Sequence, residues 1–391
     1  MLFRHAFALG ALLVAVPQSA FAAPAAAGGV SPQPTTPNDV VAAAPLSQWI
    51  EIPPDDLIVM DLAPLENGRP VDQDGIAETT AAAPLPAIRT SEPTSPTQSP
   101  TSSKPAEQND TIATVTAAPP RRVVIQLIAP PYAQGWVANI RKLAAAHWWD
   151  GLAIVRAQDN YVVQWGDPAG AEPALAKPLP PGLQKMPEAD YVAGRPGECG
   201  RFEQICLPPS LGLFTSDDIR DAYADKAGFV AGWPVAVQNA RSWPVHCYAT
   251  VGVGRDQSPD TGTGAELYAV IGQAPGQLDR NIAVVGRVIE GIEHLSTLPR
   301  GTAELGFYAT ADERTPILTI RPGREVPELP RYEYLSTGGT SFAQYVHVRA
   351  NRKDGFYVQP AGGVDVCNVP VPIRRKAAEE PVRSRTKRGG K

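Results

Sequence analysis

Apolar positions along this chain recur with two different periods. Between Trp149 and Pro168 (WDGLAIVRAQDNYVVQWGDP) they alternate in strand fashion on either side of Asp159 and Asn160, two residues of turn chemistry. Gly166-Asp167-Pro168 closes the run. The pattern predicts a hairpin that sets one cation, Arg156, and one amide, Gln164, beside aromatic and aliphatic surface. Leu57-Ile58-Val59-Met60 and Arg122 to Leu127 predict two further strands. Val137, Ile140, Ala144 and Trp148 fall instead at helical spacing, with Gly151 as the stop. Strand signals return in VHCYATVGVG from Val245, GAELYAVIG from Gly264 and NIAVVGRVI from Asn281. A short helix, EGIEHLSTL, and a last strand, Thr315 to Arg321, follow. Thr215 or Ser216 as N-cap and Gly228 as stop predict a helix over Asp217 to Ala227, and another is expected over Ser341 to Arg352. Strands dominate, with two core-facing helices. That argues for a mainly β chain, an antiparallel barrel plugged by helices rather than a βαβ sheet.

Composition divides the chain further. Proline makes up 42 of 391 residues, about twice the usual share, and it is concentrated. Residues 23–47 and 66–119, built of Ala, Pro, Thr, Ser and Gln, hold too little apolar surface to offset their chain entropy. The first reads as a disordered linker. The second reads as a disordered insertion between two paired strands, tolerated because loop closure costs rise slowly with length. A partly ordered insertion is expected near residues 197–242. The barrel domain then spans 48–322, followed by a C-terminal extension over 323–372 packed on it and a basic, disordered tail over 373–391.

The N-terminus has a basic start, the apolar run AFALGALLVAV and the small-x-small pattern Ala20-Phe21-Ala22. Residues 1–22 therefore read as a secretory signal peptide, too short for a membrane span, and the mature protein is expected to be exported. Cys199, Cys206, Cys247 and Cys367 then sit in an oxidising compartment, where four cysteines allow three pairings. Cys199 and Cys206 could close a local loop, which leaves Cys247 to pair with Cys367 across the chain. The spacings are not those of zinc ligands, so no metal is expected. The net charge of −5 and the lack of a basic patch argue against nucleic acid. No GxSxG, HExxH or P-loop pattern occurs, and the five histidines are scattered. His246 and Cys247, neighbours in an expected strand, would point to opposite faces and make a poor nucleophilic pair.

Taken together, VVIQLIAP, WVANIRKLA, WWDGLAIVR, YVVQWGDP, ATVGVGRD, TGTGAELYAVIG and QLDRNIAVVGRVIEGIEHL resemble the cyclophilin family of peptidyl-prolyl isomerases. The resemblance covers roughly Leu57 to Arg321 outside the insertions, and the bacterial exported members most of all. It implies a closed antiparallel barrel capped by two helices. It also implies Arg156 as the catalytic arginine and Gln164 as the active-site glutamine. Tyr161, Val162, Tyr268 and Leu278 stand at proline-pocket positions, and Gly254, Arg255 and Asp256 at the stretch that binds substrate backbone. Glu266 stands where the family has a second glutamine. Gln277 replaces the tryptophan linked to cyclosporin binding, which predicts poor cyclosporin sensitivity. Ile282 replaces a pocket histidine.

The implied chemistry needs no cofactor. An X-Pro bond rotates over a barrier of about 18–20 kcal/mol that arises from amide resonance. An arginine, always charged, that donates toward the prolyl nitrogen or adjacent carbonyl favours the twisted amide over both planar forms. The implied partners are proline-containing segments of exported polypeptides, with no nucleic acid and no membrane span. Glu266 and Ile282 keep a second reading open: a catalytically weak or inactive barrel that holds proline segments as a chaperone or envelope scaffold. A third is an envelope interaction protein acting through the Pro-rich insertion and the tail.

Overall fold

The computed structural model describes residues 36–66, 69–70, 120–194, 212–239 and 241–377. The expected signal peptide, most of the Pro-rich insertion, the expected Cys199–Cys206 pairing and the end of the tail lie outside the described residues.

Eight strands close a barrel: β1 (Leu57–Leu62), β2 (Arg121–Leu127), β3 (Ala153–Ala157), β4 (Val162–Gly166), β5 (Thr250–Val253), β6 (Leu267–Val270), β7 (Val284–Glu290) and β8 (Thr315–Pro322). Around the barrel the order is β5-β6-β4-β3-β8-β1-β2-β7, with β7 pairing back to β5. Closure removes every free strand edge. The two-residue alternation decides what faces inward. Val163, Trp165, Val251, Val253, Leu267 and Ala269 join the central core, while Val162, Gln164, Gly252, Tyr268 and Val270 alternate with them on the outside.

Helix α2 (Gln134–Ala145) packs Trp136, Val137, Ile140 and Leu143 into that core. Its polar contacts tie down the segment that leads into β6. Trp136 Nε1 donates to the Thr261 and Gly262 carbonyls, and the buried Asn139 amide donates to Gln184 O and Thr263 O. The late helix is one turn, α3 (Glu293–Ser296). The mainly β barrel with two core-facing helices is therefore present.

A second core lies outside the barrel. The strand Trp49–Ile52 pairs with Tyr332–Leu335, which pairs with Ile373–Arg375. Helix α4 (Thr340–Asn351) buries Phe342, Tyr345 and Val346 against Phe229, Trp243 and Val366. The disulfide Cys247–Cys367, spanning 120 positions, ties this extension to the segment before β5.

The structure corrects five expectations. Part of the 23–47 linker is ordered: Pro37–Ala43 forms helix α1, with Thr36 and Asp39 in a reciprocal capping box and Val40 buried in the second core. Residues 217–227 are not helical. Ser216, the expected cap, accepts instead from the Asp218 N–H in a turn, and the segment holds the strand Ile219–Arg220 and the start of Lys226–Val230. Gly228 is a close approach rather than a stop, since a Cβ there would stand 2.0 Å from Phe214 O. Lys226–Val230 enters a four-stranded sheet with Trp233–Gln238, Arg241–Pro244 and Ala193–Gly194, so the regular structure in the described part of the 197–242 insertion is β. The strand expected from Val245 begins only at Thr250; Ala249, at φ +68°, breaks it. The tail expected to be disordered from 373 starts with a paired strand, in which Arg374 bonds Glu333 and Arg375 pairs with Glu290. No helix among the described residues is long and apolar enough to cross a membrane.

Candidate active site

Pairing registers place four residues in one row across the outer face of the barrel. Arg156 on β3 lies opposite Gln164 on β4, Gln164 opposite Tyr268 on β6, and Tyr268 opposite Gly252 on β5. Directly paired residues share a face, so hairpin and barrel wall form one continuous surface. At one end of it is a cation and at the other an apolar cluster.

The Arg156 guanidinium is held on three sides. Nε donates to Leu305 O at 2.7 Å, one terminal nitrogen reaches Gln164 Oε1 at 3.4 Å, and the other bonds Gln158 Oε1. The rings of Tyr161 and Phe307 lie 5.6 and 5.1 Å from it. Burial lowers its pKa, yet a guanidinium stays charged throughout the working range. Five N–H groups with three engaged leave one on each terminal nitrogen to meet an incoming carbonyl or amide nitrogen.

Gln164 is oriented by its neighbours. Its Nε2 donates to Glu266 Oε2 at 2.8 Å, and a carboxylate can only accept, so the amide oxygen is turned toward Arg156. Burial raises the Glu266 pKa, with the carboxylates of Asp256, Asp167 and Asp260 adding to the effect and the Gln164 bond opposing it. Arg255 does not neutralise Glu266; it donates to Asn281 O and Asp256 O.

Val162, Tyr268 and Val270 form a buried cluster packed by the half-buried Tyr161, Leu278 and Ile282. The structure thus brings together all four residues assigned to the proline pocket, with Ile282 beside them. Gly254 follows β5, donates its N–H to Glu266 O, and leaves room that a Cβ would fill against Glu266 and Gln164. Gln277 is exposed on the turn that carries Leu278.

Four residues at this site were not among the expected ones: Gln158, Leu305, Phe307 and His246. The loop holding Leu305 and Phe307 lies between α3 and β8, a stretch with no periodicity to read. Gln158 was only the last residue before the turn. His246 lies not in a strand but wholly buried, with Nδ1 2.7 Å from Asp279 Oδ1 and Nε2 2.8 Å from the Tyr268 hydroxyl. Among the described residues no cluster of His, Cys, Asp and Glu could hold a metal. A cavity of about 430 Å³ lies elsewhere, between the barrel and the C-terminal extension, lined by Trp233, Arg287, Val366 and Val371 among others. It contains neither Arg156 nor Gln164. The row on the outer face is the better candidate for chemistry, because it pairs a donor with an apolar seat.

The comparisons bear on the same segment. Residues 122–320 match the family model described as cyclophilin type peptidyl-prolyl cis-trans isomerase/CLD. A crystal structure of a cyclophilin from Hirschia baltica superposes with a TM-score of 0.52 at 16% identity, covering 87% of this chain and 98% of that one. At that identity the likeness speaks for the fold. A cyclophilin type peptidyl-prolyl cis-trans isomerase from Cryptosporidium parvum, crystallised in the presence of the dipeptide Ala-Pro, matches at 10% identity and a TM-score of 0.28. It covers 51% of this chain and 92% of that one, too remote to carry an argument. No curated protein matches the chain.

Proposed function

The chain belongs to the cyclophilin-type peptidyl-prolyl cis-trans isomerase family, and from that premise we propose that Arg156 accelerates X-Pro isomerisation in exported polypeptides. The observation that carries this reading is the row from Arg156 through Gln164 to Tyr268, which ends in the Val162–Tyr268–Val270 cluster. The cluster seats the proline ring. The two unengaged N–H groups of Arg156 then face the prolyl amide, and they gain most when its nitrogen has lost resonance and can accept a hydrogen bond. No covalent step occurs; the stabilisation is electrostatic and positional. Gln158, Leu305 and Phe307 hold the guanidinium so that little reorganisation is needed at the moment of rotation. A protease-coupled assay on an X-Pro peptide tests this. Arg156→Ala should lower kcat/KM by about 10²–10³, the cost of losing a preorganised donor. Equal, background-level rates in both proteins would overturn it.

One observation favours a second reading, a proline-segment holder with little catalysis. The Gln164 amide is engaged at both ends, by Arg156 and Glu266, so it meets substrate with only one N–H and one lone pair, in directions those partners fix. Saturable peptide binding without rate enhancement would select that reading. The setting rests on the sequence of residues 1–22, which supports export, with a periplasmic location as the natural destination. N-terminal sequencing of the mature protein should begin at Ala23. Deleting residues 66–119 should leave isomerisation intact; a loss of localisation alone would assign that segment to interaction.

A further inference from the structure

The wholly buried His246 bridges the two halves of the apolar seat. Asp279 Oδ1 accepts from both its backbone N–H, at 3.0 Å, and its Nδ1, at 2.7 Å. A carboxylate only accepts, so Nδ1 carries a proton, and in the neutral imidazole Nε2 accepts from the Tyr268 hydroxyl at 2.8 Å. Burial raises the Tyr268 phenol well above its ordinary range, which keeps that donor protonated. The two rings are nearly parallel, 12° apart, with centroids 6.2 Å apart. Gly252 makes the contact possible: a Cβ there would stand 2.2 Å from the Tyr268 hydroxyl.

The partners belong to different elements of the pocket. Tyr268 is the strand wall. Asp279 immediately follows Leu278, on the Gly276–Leu278 turn, whose Leu278 packs against the same apolar cluster. One imidazole therefore ties strand and turn together. Its own position is fixed from behind, because the next residue, Cys247, is bonded to Cys367. Nothing in the chemistry of rotation requires these three polar groups, and burying them unpaired would be costly. All three are paired with one another, where a strand of the apolar cluster meets the turn that packs on it.

We infer that His246 is a positioning residue that fixes pocket width through Tyr268 and Asp279, and so sets selectivity for the five-membered proline ring over larger imino acids. This rests on the proposed reading of Tyr268 and Leu278 as pocket walls. The probe is a matched pair of peptides carrying proline or its six-membered homologue, pipecolic acid. Exchange NMR gives their isomerisation rates, and peptide titration gives their affinities. A closely fitted apolar site distinguishes one methylene by roughly 10–200-fold, so the wild type should favour proline by about tenfold or more. His246→Leu should raise KM for the proline peptide more than it lowers kcat, and bring the proline preference below about threefold. Tyr268→Phe, which keeps the ring and loses only the hydroxyl, breaks the same link and should show the same drop. The double variant should be no worse than either single one, because the link is already broken. Folded variants that keep the wild-type ring preference would overturn the role of His246. A wild type that binds neither peptide would overturn the pocket reading itself. If the protein binds without catalysing, the affinity ratio decides: variants that keep the wild-type ring preference in binding overturn the inference, and a drop below about threefold supports it.

Discussion

The two walls of the candidate site are built in opposite ways. The hairpin wall, β3 and β4, is local: Arg156, Gln158, Tyr161 and Gln164 lie within nine residues, and their contacts follow from strand register. The opposite wall gathers His246, Gly252, Tyr268 and Asp279 from three segments through buried hydrogen bonds, backed by a disulfide to residue 367. A local wall is specified by alternation alone. The assembled wall depends on the whole fold closing around it. The first should therefore fail through its chemistry, and the second through its packing.

The largest expected effect separates the two. Arg156→Ala should remove about 10²–10³ of catalytic efficiency while leaving the denaturant midpoint almost unchanged. Cys367→Ala should do the reverse. Opening a bridge that closes 120 positions costs about 2–4 kcal/mol in unfolding experiments, with only a secondary fall in activity. Asp279→Ala sits between them. It strands the backbone N–H and Nδ1–H of His246, each at about 1–3 kcal/mol, and should loosen the pocket as well. Chemical denaturation together with peptide KM would show both losses; a stable variant with unchanged KM would erase the distinction between the walls.

The smallest effect concerns the seam where the walls meet. Burial raises the Glu266 pKa, so the folded state holds the carboxyl proton more tightly than the unfolded chain does. Ionisation then costs stability as pH rises from the unfolded value, about 4.3, through the folded one, and the cost is complete above it. Glu266→Gln removes this cost. Its melting temperature should match the wild type near pH 4 and exceed it slightly at pH 7, by calorimetry. A gap that shrinks as pH rises would contradict the sign.

This contrast also explains what could be read from the sequence. The barrel strands, α2 and the hairpin follow from periods of two and 3.6, which need only neighbours in the chain. The helix Pro37–Ala43 was hidden because its apolar residues pack on a core contributed by residues some 300 positions away. Residues 217–227 carried cap and stop residues, but the cross-strand partners of Lys226–Val230 outweighed local propensity. His246 was misplaced because the strand signal ran through it, and no local pattern announces a partner 33 residues on. Leu305 acts through a backbone carbonyl, which any residue supplies, so its identity carried no signal.

In the proposed mechanism Arg156 acts as a fixed two-pronged donor rather than as a nearby charge. Exchange NMR on an X-Pro peptide, for wild type and Arg156→Lys in parallel, reads affinity and isomerisation rate from the same samples. Lysine keeps the charge and loses the planar fork. The expected result is affinity within about threefold of wild type, with the rate lowered by about tenfold or more, as for a misplaced transition-state donor. A lysine variant that isomerises as fast as wild type, or a wild type no faster than free peptide, would contradict it.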